Sequence, residues 1–254
     1  MKPLWVPWLG RIRPAAMLAL VILAAPPLYS HSQPEPALPG ATADHRHDHH
    51  STSAGHWEGS AEGIAYSEFN HHVAGALVVL IGISEIHSAM VPAAFTWTRF
   101  LLPTAMTVTG LFLLVWSDHD GWPIGSRGFL DTFLTGDFET VQHKWFGILS
   151  LCIAAVEWIR RLRLIRVRWA QAALPAFAIA GGLSLFLHSH GDHPSGHQIA
   201  IHHAVMGLMA LTAGSTKLVS GFTATRPAVE RSPWELAWGT LVLLIGIQLL
   251  IYSE

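Results

Sequence analysis

Six apolar stretches, at about 70-91, 99-117, 142-160, 169-188, 200-220 and 235-252, dominate this chain of 254 residues. Each is close to the roughly 20 residues an α-helix needs to cross the hydrocarbon core of a bilayer. In lipid every backbone N–H and C=O must be satisfied within the segment or its sheet, so runs of this length and composition point to spanning helices. The composition agrees: 51% of residues are hydrophobic and 13% charged, where a soluble domain carries about a quarter charged. The net charge of -2 gives no basic surface for a nucleic acid. The single cysteine, Cys152, lies in an apolar run and reads as core packing; one cysteine excludes an internal disulfide and a Cys-x-x-Cys site. The expected fold is all-α: a polytopic membrane bundle of six transmembrane helices after an N-terminal signal segment.

Residues 1-30 carry Lys2, Arg11 and Arg13 ahead of the short apolar core Ala15 to Ala25, then Pro26 and Pro27. That is the pattern of a signal peptide or an uncleaved anchor. Residues 31-66 are polar, rich in Pro, Gly and Ser, and hold six histidines, His31, His45, His47, His49, His50 and His56. They read as an exported, histidine-rich disordered arm, either a loose metal trap or a solvated linker. Residues 67-254 are the membrane domain.

Connecting loops set the orientation. Arg160, Arg161, Arg163, Arg166 and Arg168 lie between the third and fourth runs; Lys217, Arg226 and Arg231 lie at the end of the fifth run and in the loop after it; Arg99 lies at the turn between the first two runs. The alternate connections, 118-141 and 189-199, carry only Arg127. The positive-inside rule then places the arginine-rich loops in the cytoplasm, and the arm, the other two loops and the C-terminus outside. The export signal leads to the same orientation independently.

The runs also repeat. His71, His143 and His203 each precede a glycine by four positions (Gly75, Gly147, Gly207), and ten residues further come Glu85, Glu157 and Lys217. The returning helices end alike, at Leu-Leu-Val-Trp-Ser-Asp118, Leu-Phe-Leu-His-Ser-His190 and Leu-Leu-Ile-Tyr-Ser-Glu254. Three related hairpins follow from this, with sites expected where repeats meet. Glu85 and Glu157 lock helices together as core polar groups, or form a proton or ion path with Lys217, whose charge suits either as a partner.

Ten of the eleven histidines beyond the arm fall at the outer ends of the runs; only His87 lies inward, about 24 Å along the helix from His71 at 1.5 Å per residue. Transition metals need three or more donors meeting at one point, and no single helix end supplies them. The densest stretch runs His188, His190, His193, His197, His202, His203. First-choice metal ligands are His143, His188, His190, His193, His202 and His203; His71, His72, Asp118 and Asp192 come second. The returning helices end outward, so their negative dipole ends favour a cation near Asp118, His190 and Glu254. An isolated His119 reads as an interfacial polar residue.

Three function classes fit. The first binds or moves a divalent transition metal, copper before zinc or nickel, from the outer face. Histidine and carboxylate donors suit divalent ions, and no Met-x-x-Met cluster supports a Cu(I) path. The second is a b-type cytochrome with one haem in the outer half of the bundle, held by two of His71, His72, His143 and His203. The third is a membrane di-metal oxidase, suggested by His193-x3-His197-x4-His202-His203. No catalytic nucleophile or nucleotide site is recognisable, so enzyme activity is left open.

The export signal, the histidine-rich arm, and the helix starts His71-His72-x2-Gly75, His143-x3-Gly147 and His202-His203-x3-Gly207 resemble bacterial copper-resistance membrane proteins of the CopD type, and to a lesser degree cytochrome b561-type bundles. The copper resemblance covers about 66-254. It implies copper uptake or tolerance at a bacterial inner membrane, with the arm and C-terminus periplasmic. Membrane lipid, the metal ion and a periplasmic metal carrier are then the expected partners.

Overall fold

A computed structural model describes residues 59-91, 97-134, 136, 138-165, 167, 169-187, 195-223 and 232-254. The signal segment, most of the arm, His188, His190, Asp192 and His193 lie outside the described residues. Among the described residues every regular element is a helix. The helices are α1 (Ala61–Met90), α2 (Leu101–Val115, entered through a 3-10 turn at Trp97–Phe100), the short α3 (Phe129–Leu134), α4 (Phe138–Arg161), α5 (Trp169–Leu185), α6 (Gly196–Thr223) and α7 (Pro233–Leu250).

α1 begins well before its apolar run. Ser60 caps it, accepting a hydrogen bond from the Gly63 amide at 3.1 Å, and Glu62 sits in the first turn where the dipole favours an acid. At the other end Ser232 and Pro233 open α7, since proline loses nothing at the first helical position.

Four stretches are long and apolar enough to cross a membrane: Ala61–Met90, Trp97–Val115, Gly196–Phe222 and Pro233–Leu250. Six were expected. α4 is long, at 24 residues, but carries Lys144, Glu157, Arg160 and Arg161 within its length; α5 is apolar but has 17 residues. The side-chain pattern explains how α4 coexists with apolar neighbours. Lys144, Glu157 and Glu85 are buried, while Leu80, Leu111, Leu208 and Leu244 are exposed. That inverts the soluble arrangement and suits a lipid-facing surface. Cys152 is exposed as well, on the outside of α4, and does not pack in the core as the sequence suggested.

The helices close a ring in which α1 packs on α2, α2 on α4, α4 on α5, α5 on α6, α6 on α7 and α7 back on α1. The most extensive contacts are α7 with α1, α2 with α4 and α5 with α6. These join the end of one expected hairpin to the start of the next. Glycine makes each approach possible. A Cβ on Gly147 would lie 3.0 Å from the Gly110 carbonyl oxygen, one on Gly207 2.9 Å from the Gly182 oxygen, and one on Gly75 3.0 Å from the Gly246 oxygen. Gly75, Gly147 and Gly207 are equivalent in the sequence repeat, and so are Gly110, Gly182 and Gly246, each three residues before the shared Leu-x-x-x-Ser ending. One contact therefore recurs three times around the ring. Between the two polar ends lies an apolar layer that includes Leu102, Met106, Ile153, Leu174, Trp238 and Val242.

Candidate functional site

The histidine end is built from the start of α1, the chain after α7, and the first half of α6. His71 and His72 are neighbours in sequence with different attachments. The His71 Nδ1–H donates to the Ser67 carbonyl 2.8 Å away, one turn back. In a neutral imidazole that leaves the lone pair on Nε2, the tautomer a metal ligand needs. His72 instead uses Nε2–H to reach the Tyr252 carbonyl at 3.0 Å. His72 thus fastens α1 to the chain following α7, while the His71 bond is made within α1.

Tyr252 organises this end. Its ring, 1% exposed, stacks on His71 with centroids 4.0 Å apart and meets His202 edge-on at 5.5 Å. Its hydroxyl donates to Glu254 at 3.0 Å, and the Ser67 hydroxyl donates to the same carboxylate oxygen. The buried His203 ring lies 6.4 Å from that of His71, between helices that are not adjacent in the ring. His71, His202 and His203 are thus brought together. Sequence reasoning quoted Tyr252 in the repeat and gave it no role; its signal was an aromatic phenol within reach of Glu254.

His143 and Asp118 form a separate group where α2 meets α4. The His143 Nδ1–H donates to Asp118 at 3.0 Å, the Lys144 ammonium lies 2.9 Å from the other carboxylate oxygen, and the Ser117 hydroxyl donates at 2.6 Å. Lys144 is fully buried and also donates to the Leu114 carbonyl at 3.0 Å. Burial works against ionisation of Asp118, but the hydrogen bond and charge of His143, with Lys144 and Ser117, outweigh it and hold the carboxyl below its usual range. The cation beside Asp118 at the end of α2 is the chain's own Lys144. Lys144 was missed in the sequence, although a lysine beside His143 at the mouth of an apolar run is a signal of its own.

Of the ten expected ligands, His71, His202 and His203 meet at one place, His72 braces them, His143 pairs with Asp118, and the other four lie outside the described residues. Among the described residues no three His, Cys, Asp or Glu side chains are arranged to hold a metal ion.

The opposite, arginine-bearing end is also polar. Glu85 accepts hydrogen bonds from Arg161 at 2.8 Å, Lys217 at 3.0 Å and the Trp238 indole at 3.0 Å. Arg161 reaches on to Glu157 at 3.1 Å, Arg160 pairs with Glu157 at 2.6 Å, and Lys217 also contacts Glu235. The three equivalent charged positions of the repeat, Glu85, Glu157 and Lys217, belong to one network tying α1, α4, α6 and α7. Lys217 is indeed a partner of Glu85. His87, at this end, meets the Thr98 hydroxyl at 3.1 Å.

Comparison with protein-family profiles, with curated proteins and with solved structures returns no match for this chain. The fold and its inverted polarity define an all-helical protein of membrane type, with one histidine-bearing and one arginine-bearing end.

Proposed function

We propose that this protein binds a divalent transition metal, copper before zinc or nickel, at its histidine end, and serves metal homeostasis or transport. The observation that carries the reading is that the His71 ring lies 6.4 Å from His203 and stacks at 4.0 Å on Tyr252, which His202 meets edge-on at 5.5 Å. Imidazoles on separate helices are the kind of donor from which a copper, zinc or nickel site is assembled. His188, His190, His193 and Asp192 are the proposed further donors, close in sequence to His202. The His143–Asp118 pair is a poorer place for a cation, because Lys144 already neutralises the carboxylate. The three-hairpin organisation belongs to the same proposal and is supported by the recurring glycine contact. So does the orientation, with the histidine end periplasmic, which rests on the arginine distribution, and so does the CopD-type resemblance. The testing experiment is metal titration of the purified protein: about one equivalent of Cu(II) bound by wild type and loss of that binding in His203→Ala.

One observation favours a second reading, a single b-type haem. Two imidazoles on opposite sides of one iron, each with a metal–nitrogen bond of about 2 Å, place their ring centres roughly 6 Å apart. The His71–His203 separation is 6.4 Å, and the bond to the Ser67 carbonyl sets the His71 tautomer with its hydrogen on Nδ1. In this reading His71 and His203 would hold the haem, which would supply electron-transfer chemistry, and His143 would not. An optical spectrum before and after dithionite separates the two.

A further inference from the structure

The chain between α2 and α4 is hydrogen-bonded into a fixed surface. The Gly121 amide donates to the Asp118 carbonyl at 3.3 Å, the Gly125 amide to the Gly121 carbonyl at 2.8 Å, and the Arg127 amide to the Asp120 carbonyl at 3.1 Å. Thr132, fully buried, pins the segment: its hydroxyl accepts from the Trp122 amide at 2.9 Å and donates to the Gly128 carbonyl at 2.9 Å. Gly121 lies against the bundle, where an added Cβ would come within 3.3 Å of the Lys144 side chain. With Thr132 turned in, the other side of α3 turns out. At 3.6 residues per turn, Phe129, Leu130, Phe133 and Leu134 fill an arc of about 140° that excludes Asp131 and Thr132. Phe129, Leu130 and Leu134 are 53%, 64% and 75% exposed, and Trp122 and Ile124, earlier in the segment, are exposed too. The aromatic side chains run without a break onto α4. Trp122 meets Phe129 edge-on at 5.2 Å, Phe129 lies 4.9 Å from Phe133, and Phe133 meets Trp145 edge-on at 6.0 Å. Trp145 shares its side of α4, at seven-residue spacing, with Cys152 and Ile159, both exposed.

We infer that the 120–134 segment is a membrane-interface element, seated in the bilayer leaflet at the histidine end, with Trp122 at headgroup level and Phe129, Leu130 and Leu134 against the acyl chains. A mobile loop could fold such side chains away, but Thr132 holds this one open, so they must meet an apolar medium. The course of the chain supplies that medium. The segment starts at the end of α2, whose stretch from Trp97 is long and apolar enough to cross a membrane and whose Val108 and Leu111 are exposed. It then joins the exposed side of α4 through Phe133 and Trp145, so one continuous apolar surface runs from the helices over the segment. Aromatic and aliphatic side chains opposite a polar edge are the composition of helices that lie in the interface. Asp120 and Asp131 face a single cation, Arg127, within the segment, so its seating rests on apolar contact and needs no acidic lipid. The inference depends on the membrane character of the bundle and is independent of the metal reading, so either can fail alone.

The test uses the full chain in phosphatidylcholine nanodiscs. In a Cys152→Ala background, Leu130→Cys, Leu134→Cys and Asp131→Cys each carry one fluorophore. Labels at 130 and 134 should be quenched by a lipid spin-labelled near its headgroup, and quenched by aqueous iodide roughly fivefold less than the label at 131. Hydroxyl-radical labelling of the wild-type protein in the same discs gives a readout that needs no substitution. Normalised to the unfolded chain, Trp122 and Phe129 should be protected and the exposed His119 modified. Iodide quenching at 130 and 134 equal to that at 131, or modification of Trp122 and Phe129 as extensive as that of His119, would overturn the assignment. So would shielding of 130 and 134 from iodide and from the lipid quencher alike, the mark of a second copy or another protein on this surface.

Discussion

The rings of His71 and His203 lie 6.4 Å apart on α1 and α6, two helices that do not pack on one another. Side chains, and not backbone contact, bring these helices together at the histidine end. If His71 is a ligand and His72 a brace, the neighbours should respond differently. His71→Ala should abolish metal or haem binding. His72→Ala should lose the bond to the Tyr252 carbonyl, lowering stability by about 1 kcal/mol with the bound centre retained. Parallel metal analysis and thermal unfolding of the two variants decide this; equal loss of binding in both would reject the division.

The glycine contacts predict which glycines tolerate a methyl group. Gly147→Ala meets the Gly110 carbonyl and should cost about 1–3 kcal/mol through overpacking. Gly181→Ala, whose added carbon would meet only Phe146 at 3.8 Å, should be neutral or slightly stabilising. Unfolding midpoints in one detergent give the comparison.

The Glu85 network should behave as a unit. Glu85→Ala leaves Arg161 and Lys217 short of a buried partner and should cost about 3–5 kcal/mol. Adding Lys217→Ala should restore part of that loss, so the double variant is less destabilised than the two single effects predict. Simple additivity in a double-mutant cycle would contradict the coupling.

Asp118 gives a pH signature. Its carboxyl is held below the usual range in the folded protein, so its contribution is fully present above the unfolded value of about 4. That contribution is lost as pH falls through the lower folded value. The midpoint difference between wild type and Asp118→Asn should therefore shrink as the pH falls below about 4. A difference that grows on acidification would contradict the pairing with His143 and Lys144.

Much of the fold is legible in the sequence because lipid imposes long apolar runs and glycine marks close helix contacts. The His-x3-Gly repeat pointed to equivalent positions, and the structure brings those glycines against a second equivalent set. Which helices meet most closely was not legible: a repeat fixes equivalence, whereas pairing across hairpins depends on how the ring closes. α4 is not among the four helices apolar enough to cross a membrane, because it carries polar residues, Lys144 and Glu157 among them; these turn inward, which a stretch of sequence does not reveal. At the site, residue type gave the clustering of histidines at one end. It did not separate His71 from His72, since that depends on which carbonyl, Ser67 or Tyr252, each ring nitrogen reaches. Nor did it show that Asp118 is already neutralised by the lysine following His143.

A transition metal centre at the histidine end is read out on detergent-purified protein by metal titration with elemental analysis, together with an optical spectrum before and after dithionite. About one metal equivalent per chain is expected, lost in His203→Ala, with sharp reduced bands if the centre is haem and none if it is a histidine-bound copper. Protein that shows no haem bands and takes up no copper, zinc or nickel, or that binds them equally well in His203→Ala, would contradict it.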